Sequence, residues 1–214
     1  MEFILHAANS KKRITACNEA FERLEVDVWY DAGALRVVHD FHLGPITFGH
    51  RHGRIHIGLL KDSPKLCEVL DIVSRPLLID LKGAWDCKSI SCLVALLDEK
   101  NRIHKDAICT QDWRPLDIIR GNFPKVALYY SMERKTQLDA FFRKLADVKK
   151  EFGNTHGIAG ISAAASLVIP HNLFIPMFHD EGLKVLVWDN IEDPKRIAAL
   201  VAWGLDGAIV DSLP

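Results

Sequence analysis

The sequence predicts an α/β fold, a small closed (β/α)8 barrel with its final helix absent. Eight short runs of Val, Ile, Leu and aromatic residues recur at 3–7, 24–29, 77–82, 107–110, 126–130, 157–162, 185–188 and 208–210. Longer amphipathic stretches separate them, and strict strand–helix alternation demands parallel pairing. No Gly/Ser linker, low-complexity tract or charge block divides the 214 residues. Eight parallel strands therefore share one domain, 1–214, which favours a closed barrel over an open sheet.

The elements follow in order from local chemistry. In the first run Ile4 and His6 share one face, Phe3 and Leu5 the other. A helical pattern at 13–23 leads into the second run. Asp31-Ala32-Gly33 is turn chemistry, and the apolar Leu35, Val37 and Val38 behind it make 34–41 a hairpin-like extension. Residues 42–60, rich in Gly and His without a clear period, read as a long loop, so an excursion at about 32–61 stands at the barrel mouth. Further helical patterns occupy 64–74, 88–101, 115–122, 136–152, 172–181 and 194–203. Asp62-Ser63-Pro64 and Asp193-Pro194 are helix-start signals, while Gly153, Gly182 and Gly204 follow helices as C-terminal caps. No helical pattern follows the eighth run, so another element must cover it.

Composition excludes several classes of function. Hydrophobic residues make up 49% of the chain, too many for disorder. With 27 Lys+Arg against 28 Asp+Glu there is no basic field for nucleic-acid phosphates or anionic lipid. The partner expected is a small molecule, with no nucleic acid and no transmembrane segment, since no apolar run approaches the ~20 residues a span needs. Oligomeric state is not legible. The N-terminus Met-Glu-Phe-Ile-Leu-His has no cationic leader region, and five cysteines without CxxC spacing fit reduced thiols, so a cytoplasmic location is expected. Those cysteines fall at apolar positions and read as buried small hydrophobes.

Alternation in Leu24-Glu25-Val26-Asp27-Val28 puts both carboxylates on one face. The apolar set must meet the helices, so Glu25 and Asp27 point into the barrel, about 7 Å apart along the strand. Asp80 and Lys82 share the inward face of Leu77-Leu78-Ile79-Asp80-Leu81-Lys82 by the same parity. Three hard oxygen donors suit Mg²⁺ or Ca²⁺, whereas Zn²⁺ prefers more nitrogen or sulfur. The plainer alternative is a Lys82–Asp80 pair with Glu25 and Asp27 held by solvent and neighbouring donors. His6 reaches the same mouth, and His39, ending the hairpin run, supplies a second imidazole for acid–base work near neutral pH.

The order His6 … Glu25-Val26-Asp27 … Val37-Val38-His39-Asp40 … Ile79-Asp80-Leu81-Lys82 resembles the glycerophosphodiester phosphodiesterase family, a TIM-barrel branch of the phospholipase-C-like phosphodiesterases. The stretches 179–188 and 203–214 resemble the family's closing strands, and the likeness covers nearly the whole chain. It implies that Glu25, Asp27 and Asp80 hold a divalent cation, Mg²⁺ or Ca²⁺ with Mn²⁺ as a further option. It also implies that His6 and His39 are the acid–base pair, that Lys82 neutralises the phosphate, and that Trp188 walls the site. The substrate implied is a glycerophosphodiester or a lysophospholipid-like phosphodiester. Two rival readings are a non-catalytic barrel binding a cation and a phosphorylated lipid or protein, and a phospholipase D-like transfer forming a cyclic phosphate.

Departures from the family pattern bear on the substrate. His6-Ala7-Ala8-Asn9 stands where His-Arg-Gly is usual, so a phosphate-contacting arginine is absent, and Arg51, Arg54 or Lys11 is expected to replace its charge. That start, with Asp-x-Lys at 80–82, is similar to the sphingomyelinase D-like phospholipases. Trp188-Asp189-Asn190 replaces Trp-Thr-Val-Asn. Gln111, Asp112 and Ser131 follow strand ends on the catalytic face and are candidate substrate contacts, or alternatively helix caps and loop hydrogen-bonding residues. The segment 50–56, with three histidines and two arginines, is a candidate metal site or cationic lip, or simply a solvated loop.

Overall fold

A computed structural model of the chain describes all residues except 18, 40, 44–45, 52–53, 60–62, 190, 192 and 214, and of residues 41–43, 48–51 and 54–57 it describes the backbone. The strands are β1 (Glu2–Leu5), β2 (Arg23–Asp31), β3 (Ala34–Val37), β4 (Phe41–Leu43), β5 (Ile46–Arg51), β6 (Arg54–Leu59), β7 (Leu77–Lys82), β8 (Ala107–Thr110), β9 (Ala127–Met132), β10 (Ile158–Ala164), β11 (Lys184–Trp188) and β12 (Gly207–Val210). The helices are α1 (Lys11–Cys17), α2 (Leu66–Ile72), α3 (Cys87–Glu99), α4 (Trp113–Asn122), α5 (Lys135–Phe152), α6 (Ala165–Val168), α7 (Phe174–Asp180) and α8 (Pro194–Ala202), with a 3-10 turn at Ile169–His171.

Eight parallel strands close into a barrel. Pairing runs from β1 through β12, β11, β10, β9, β8 and β7 to β2, and β2 returns to β1 through Ile4↔Arg23 and Leu5↔Leu24. Alternation then divides the apolar residues between two cores. Leu24, Val26 and Val28 of β2 and Leu77, Ile79 and Leu81 of β7 belong to the outer core beneath the helices. Ile4, Leu78, Ala107, Cys109, Tyr129, Leu186 and Ile209 fill the barrel interior, so it is a packed core rather than a pore. An ion pair, Arg23 Nε to Glu2 Oε1 at 3.0 Å, joins the start of β2 to the start of β1, at the end opposite the mouth. Among the described residues no helix follows β12. Its outward Ala208 and Val210 are buried in the same core as Ile14 of α1 and Leu200 of α8, whose strands flank it.

Several boundaries differ from the sequence expectation. The first helix starts earlier and stops at Cys17, because Ser10 Oγ accepts from Arg13 N (3.2 Å) and Arg23 already belongs to β2. The second opens at Leu66 on Lys65, while Val37 N donates to Pro64 O (2.9 Å) and Arg36 to Ser63 O. Ser63 and Pro64 thus serve the edge of β3 and cannot start the helix, and Asp62 lies outside the described residues. The helix expected at 172–181 begins at Phe174 and is preceded by α6 and the 3-10 turn. Asp193 caps α8 as expected, and Gly153 ends α5 at φ 72°.

The expected loop at 42–60 is a small antiparallel sheet, β4-β5-β6, and β3 pairs antiparallel with β2 as the hairpin reading requires. Its Gly and His content resembles a loop, but Ile55, Ile57 and Leu59 alternate with His56 and Gly58, which is the period of a strand. Leu43 pairs with Ile46 and Arg51 with Arg54. Buried cysteines are likewise a partial outcome. Cys109 is buried inside the barrel, whereas Cys87 and Cys92 are exposed on α3 and Cys17 and Cys67 are intermediate.

Gly160 of β10 pairs with Lys184, and a Cβ there would lie 2.0 Å from the Lys184 carbonyl oxygen. Backbone cannot yield as a side-chain tip does, so Gly160→Ala is expected to destabilise the fold by about 3 kcal/mol or more. Gly121, exposed in α4 with open space around it, should gain about 0.5–1 kcal/mol as Ala. Chemical denaturation of the two variants checks the contrast.

Candidate active site

The register of β2 against β7 sets Asp27 opposite Asp80, with Glu25 one inward position below. Glu25 and Asp27 are only 4% and 1% exposed. One ligand oxygen from each of Glu25, Asp27 and Asp80 lies within 4.8 Å of the others. The parity argument therefore holds for all three acids and for Lys82, whose Nζ stands 2.9 Å from Asp27 Oδ1 and 2.5 Å from Asp80 Oδ2.

The segment after β1 completes their hydrogen bonding. Ala7 N donates to Glu25 Oε2 at 2.6 Å, and Asn9 grips Asp27 twice, its Nδ2 donating to Oδ2 (2.6 Å) and its Oδ1 accepting from the Asp27 amide (2.9 Å). Ala7 takes φ 49°, a left-handed conformation that costs a non-glycine residue of order 1 kcal/mol or more. The contact from its own amide to a buried carboxylate holds it there.

Charge in this cluster is unbalanced. Burial first, then the Asp27 and Asp80 carboxylates, pushes Glu25 well above the ordinary carboxyl range. Burial likewise raises Asp80 to about 6, against the pull of Lys82. Burial works to deprotonate Lys82, but Asp80 and Asp27 together outweigh it and hold the ammonium more firmly than usual. Two buried acids and a partly buried third against one ammonium leave negative charge whose desolvation costs several kcal/mol per uncompensated ion. An all-oxygen, anionic donor set with that deficit fits a hard divalent cation such as Mg²⁺ or Ca²⁺.

The two imidazoles meet beside the acids. The rings of His6 and His39 lie 5.5 Å apart and nearly perpendicular. His6 Nδ1 is 2.9 Å from Asp211 Oδ1. Both histidines, Glu25, Asp80 and Lys82 line a cavity of about 510 Å³ at the C-terminal mouth of the barrel, walled by Trp188 and by Ser131 and Ser162. The Trp188 indole donates to the Ser162 carbonyl at 3.2 Å, and Gln111 reaches the same cavity with its amide on Glu133.

Some expected contacts fall elsewhere. Lys11 pairs with Glu68 of α2 at 3.3 Å on the outer shell, so it does not replace the missing arginine. Asp112 caps α4 and pairs with Arg114, the plainer of its two readings. The backbones of Arg51 and Arg54 end β5 and open β6, but their side chains, those of His42, His50 and His56, and residues His52, Asp40 and Asn190 lie outside the described residues. Among the described residues Lys82 is the one lysine or arginine lining the cavity. Sequence reasoning gave no role to Asn9, Ser162 or Asp211. Asp211 was within reach of it: counting by two from the inward Ile209 arrives there.

The raised Asp80 pKa sets a pH dependence. Folding stability from this group is fully present below its ordinary value near 3.8 and is lost as pH rises through about 6. In chelator, the parent protein should lose about 2 kcal/mol more than Asp80→Asn between pH 4.5 and 7, and Mg²⁺ or Ca²⁺ should restore it at pH 7. Urea titrations at the two pH values measure this, and equal losses in both proteins would refute it.

No family model and no curated protein sequence matches the chain. Solved structures do. A Silicibacter pomeroyi protein named as a candidate glycerophosphoryl diester phosphodiesterase aligns with TM-score 0.76 at 18% identity over 99% of this chain and 90% of its own. An Oleispira antarctica phosphodiesterase, solved with its product sn-glycerol-3-phosphate, gives 0.74 at 16% identity over 99% and 93%. The glycerophosphodiester phosphodiesterase of Thermotoga maritima gives 0.71 at 17% over 99% and 94%. Together with the closed eight-strand barrel, these likenesses show that the chain has the (β/α)8 fold on which those phosphodiesterases are built.

Proposed function

We propose that this chain, acting as one domain, is a divalent-cation-dependent phosphodiesterase that hydrolyses a glycerophosphodiester or a lysophospholipid-like diester. The observation that carries the reading is the convergence of Glu25, Asp80, Lys82 and two imidazoles in one cavity at the barrel mouth, with a carboxylate oxygen of Asp27 within 4.8 Å of those of Glu25 and Asp80. The product bound by the Oleispira antarctica phosphodiesterase, a fold neighbour, supports a small phosphate ester as ligand.

In this reading Glu25, Asp27 and Asp80 hold the cation, Mg²⁺, Ca²⁺ or Mn²⁺. Bound there, it would polarise a phosphoryl oxygen and offset charge in the transition state. Lys82 adds a fixed positive charge at the same mouth for the phosphate. One imidazole of the His6/His39 pair takes the proton of the nucleophile, which is water in direct hydrolysis or the substrate's own neighbouring hydroxyl where a cyclic phosphate forms first, and the other gives a proton to the departing alcohol oxygen. Trp188 and the hydroxyls of Ser131 and Ser162 shape the space for the alcohol, and Gln111, fixed on Glu133, borders it. Among the described residues no helix is long and apolar enough to cross a membrane, and the free thiols support a cytoplasmic location.

Turnover of glycerophosphocholine, glycerophosphoethanolamine, lysophosphatidylcholine and a chromogenic diester, each with Mg²⁺, Ca²⁺ or Mn²⁺, tests the reading. Activity should vanish in chelator and in Asp27→Ala; undiminished turnover in both would exclude the cation site. Replacing His6 or His39 by Ala should slow turnover by roughly 10²–10⁴-fold. Phosphorus NMR of the products separates hydrolysis from release of a cyclic phosphate.

A further inference from the structure

An imidazole that moves protons must be held in place, and His39 is held through its backbone. Among the described residues no side chain hydrogen-bonds its ring, which is exposed and meets the His6 ring edge-on at 5.5 Å. We propose that Trp29 is a positioning residue of the reaction, its indole N–H fixing the peptide that leads into His39 so that this imidazole stays at the barrel mouth within reach of a bound diester. This rests on the phosphodiesterase reading above.

The clamp lies where β3 leaves β2. Their paired residues end at Val28↔Val37, and Val38, 5% exposed, comes next. Its N–H donates to the Asp27 carbonyl at 3.0 Å, and its own carbonyl accepts from Trp29 Nε1 at 3.1 Å. Both sides of Val38 are thus tied to the strand that carries Glu25 and Asp27. The Val38 carbonyl and the His39 nitrogen belong to one planar peptide, so fixing that oxygen fixes the plane from which His39 departs.

The indole is itself held firmly enough to serve as an anchor. Register sets Trp29 opposite Lys82, and the residue after Lys82 is Gly83 at φ 75°. A Cβ on Gly83 would lie 2.5 Å from Cζ3 and 2.7 Å from Cε3 of the Trp29 ring. The ring is therefore seated on the Gly83 backbone, an approach for which only glycine leaves room. From the other side of that turn Trp85 Nε1 donates to the Lys82 carbonyl at 2.9 Å. Trp29 thus links the chain just after Lys82 to the chain just before His39. Trp29 does not line the cavity, so it acts through His39 rather than on the substrate.

Trp29→Phe keeps a ring over Gly83 and removes the N–H. Its kcat on a chromogenic diester should fall roughly 5–50-fold with KM nearly unchanged. In a His39→Ala background the same substitution should cost about 2-fold or less, because the group it positions is gone. In ¹⁵N-histidine-labelled protein, with the His39 amide assigned by its loss in His39→Gln, that amide should shift more than any other histidine amide in Trp29→Phe, since its nitrogen adjoins the carbonyl that loses its donor. Equal losses of kcat in both backgrounds, an undiminished kcat in Trp29→Phe, or an unmoved His39 amide would overturn the proposal. Absence of diester turnover in the parent would end the reaction proposed above, yet the amide shift would still decide whether the indole holds His39.

Discussion

Three carboxylates gathered in one place, two of them buried and the third partly so, against a single ammonium are the constraint around which this molecule is arranged. Ionised groups of like sign leave water only when something repays the desolvation. Here Lys82 bridges Asp27 and Asp80, Asn9 doubly grips Asp27, and the Ala7 amide meets Glu25. Two of these three partners come from the turn after β1, which explains why that turn tolerates a left-handed alanine. Its strain is small beside the cost of a buried carboxylate with no donor.

The barrel is what makes such crowding possible. Parallel strands end together at one mouth, and inward positions at the same height become neighbours whatever their distance in sequence. Below that level Ile4, Leu78, Tyr129, Leu186 and Ile209 exclude water, so the acids rest on a dry floor and open only toward the cavity. The fold tolerates wide sequence change, since structures with 16–18% identity superpose over nearly the whole chain. Layered packing asks for hydrophobic volume rather than particular side chains.

Much of this was legible in the sequence where a period was clean. Alternation in 24–28 and 77–82 assigned inward and outward faces residue by residue, and the acids, Lys82 and His6 stand where that parity sets them. The pattern was less readable where composition worked against periodicity. Histidine and glycine between Phe41 and Leu59 disguised three strands, and Ser63-Pro64 looked like a helix start while serving a sheet edge. Asn9 had no periodicity to betray it, because its role arises from a turn geometry that only tertiary packing creates. Asp211 obeyed the parity rule and was missed because its partner is 205 positions away.

That separation ties competence to completion of the fold. The His6–Asp211 contact joins the first and last strands of the barrel, so it arises only when β12 slots between β1 and β11. The acids of β2 and β7 sit on adjacent strands and need no such closure, so the two halves of the site differ in how much of the barrel each requires.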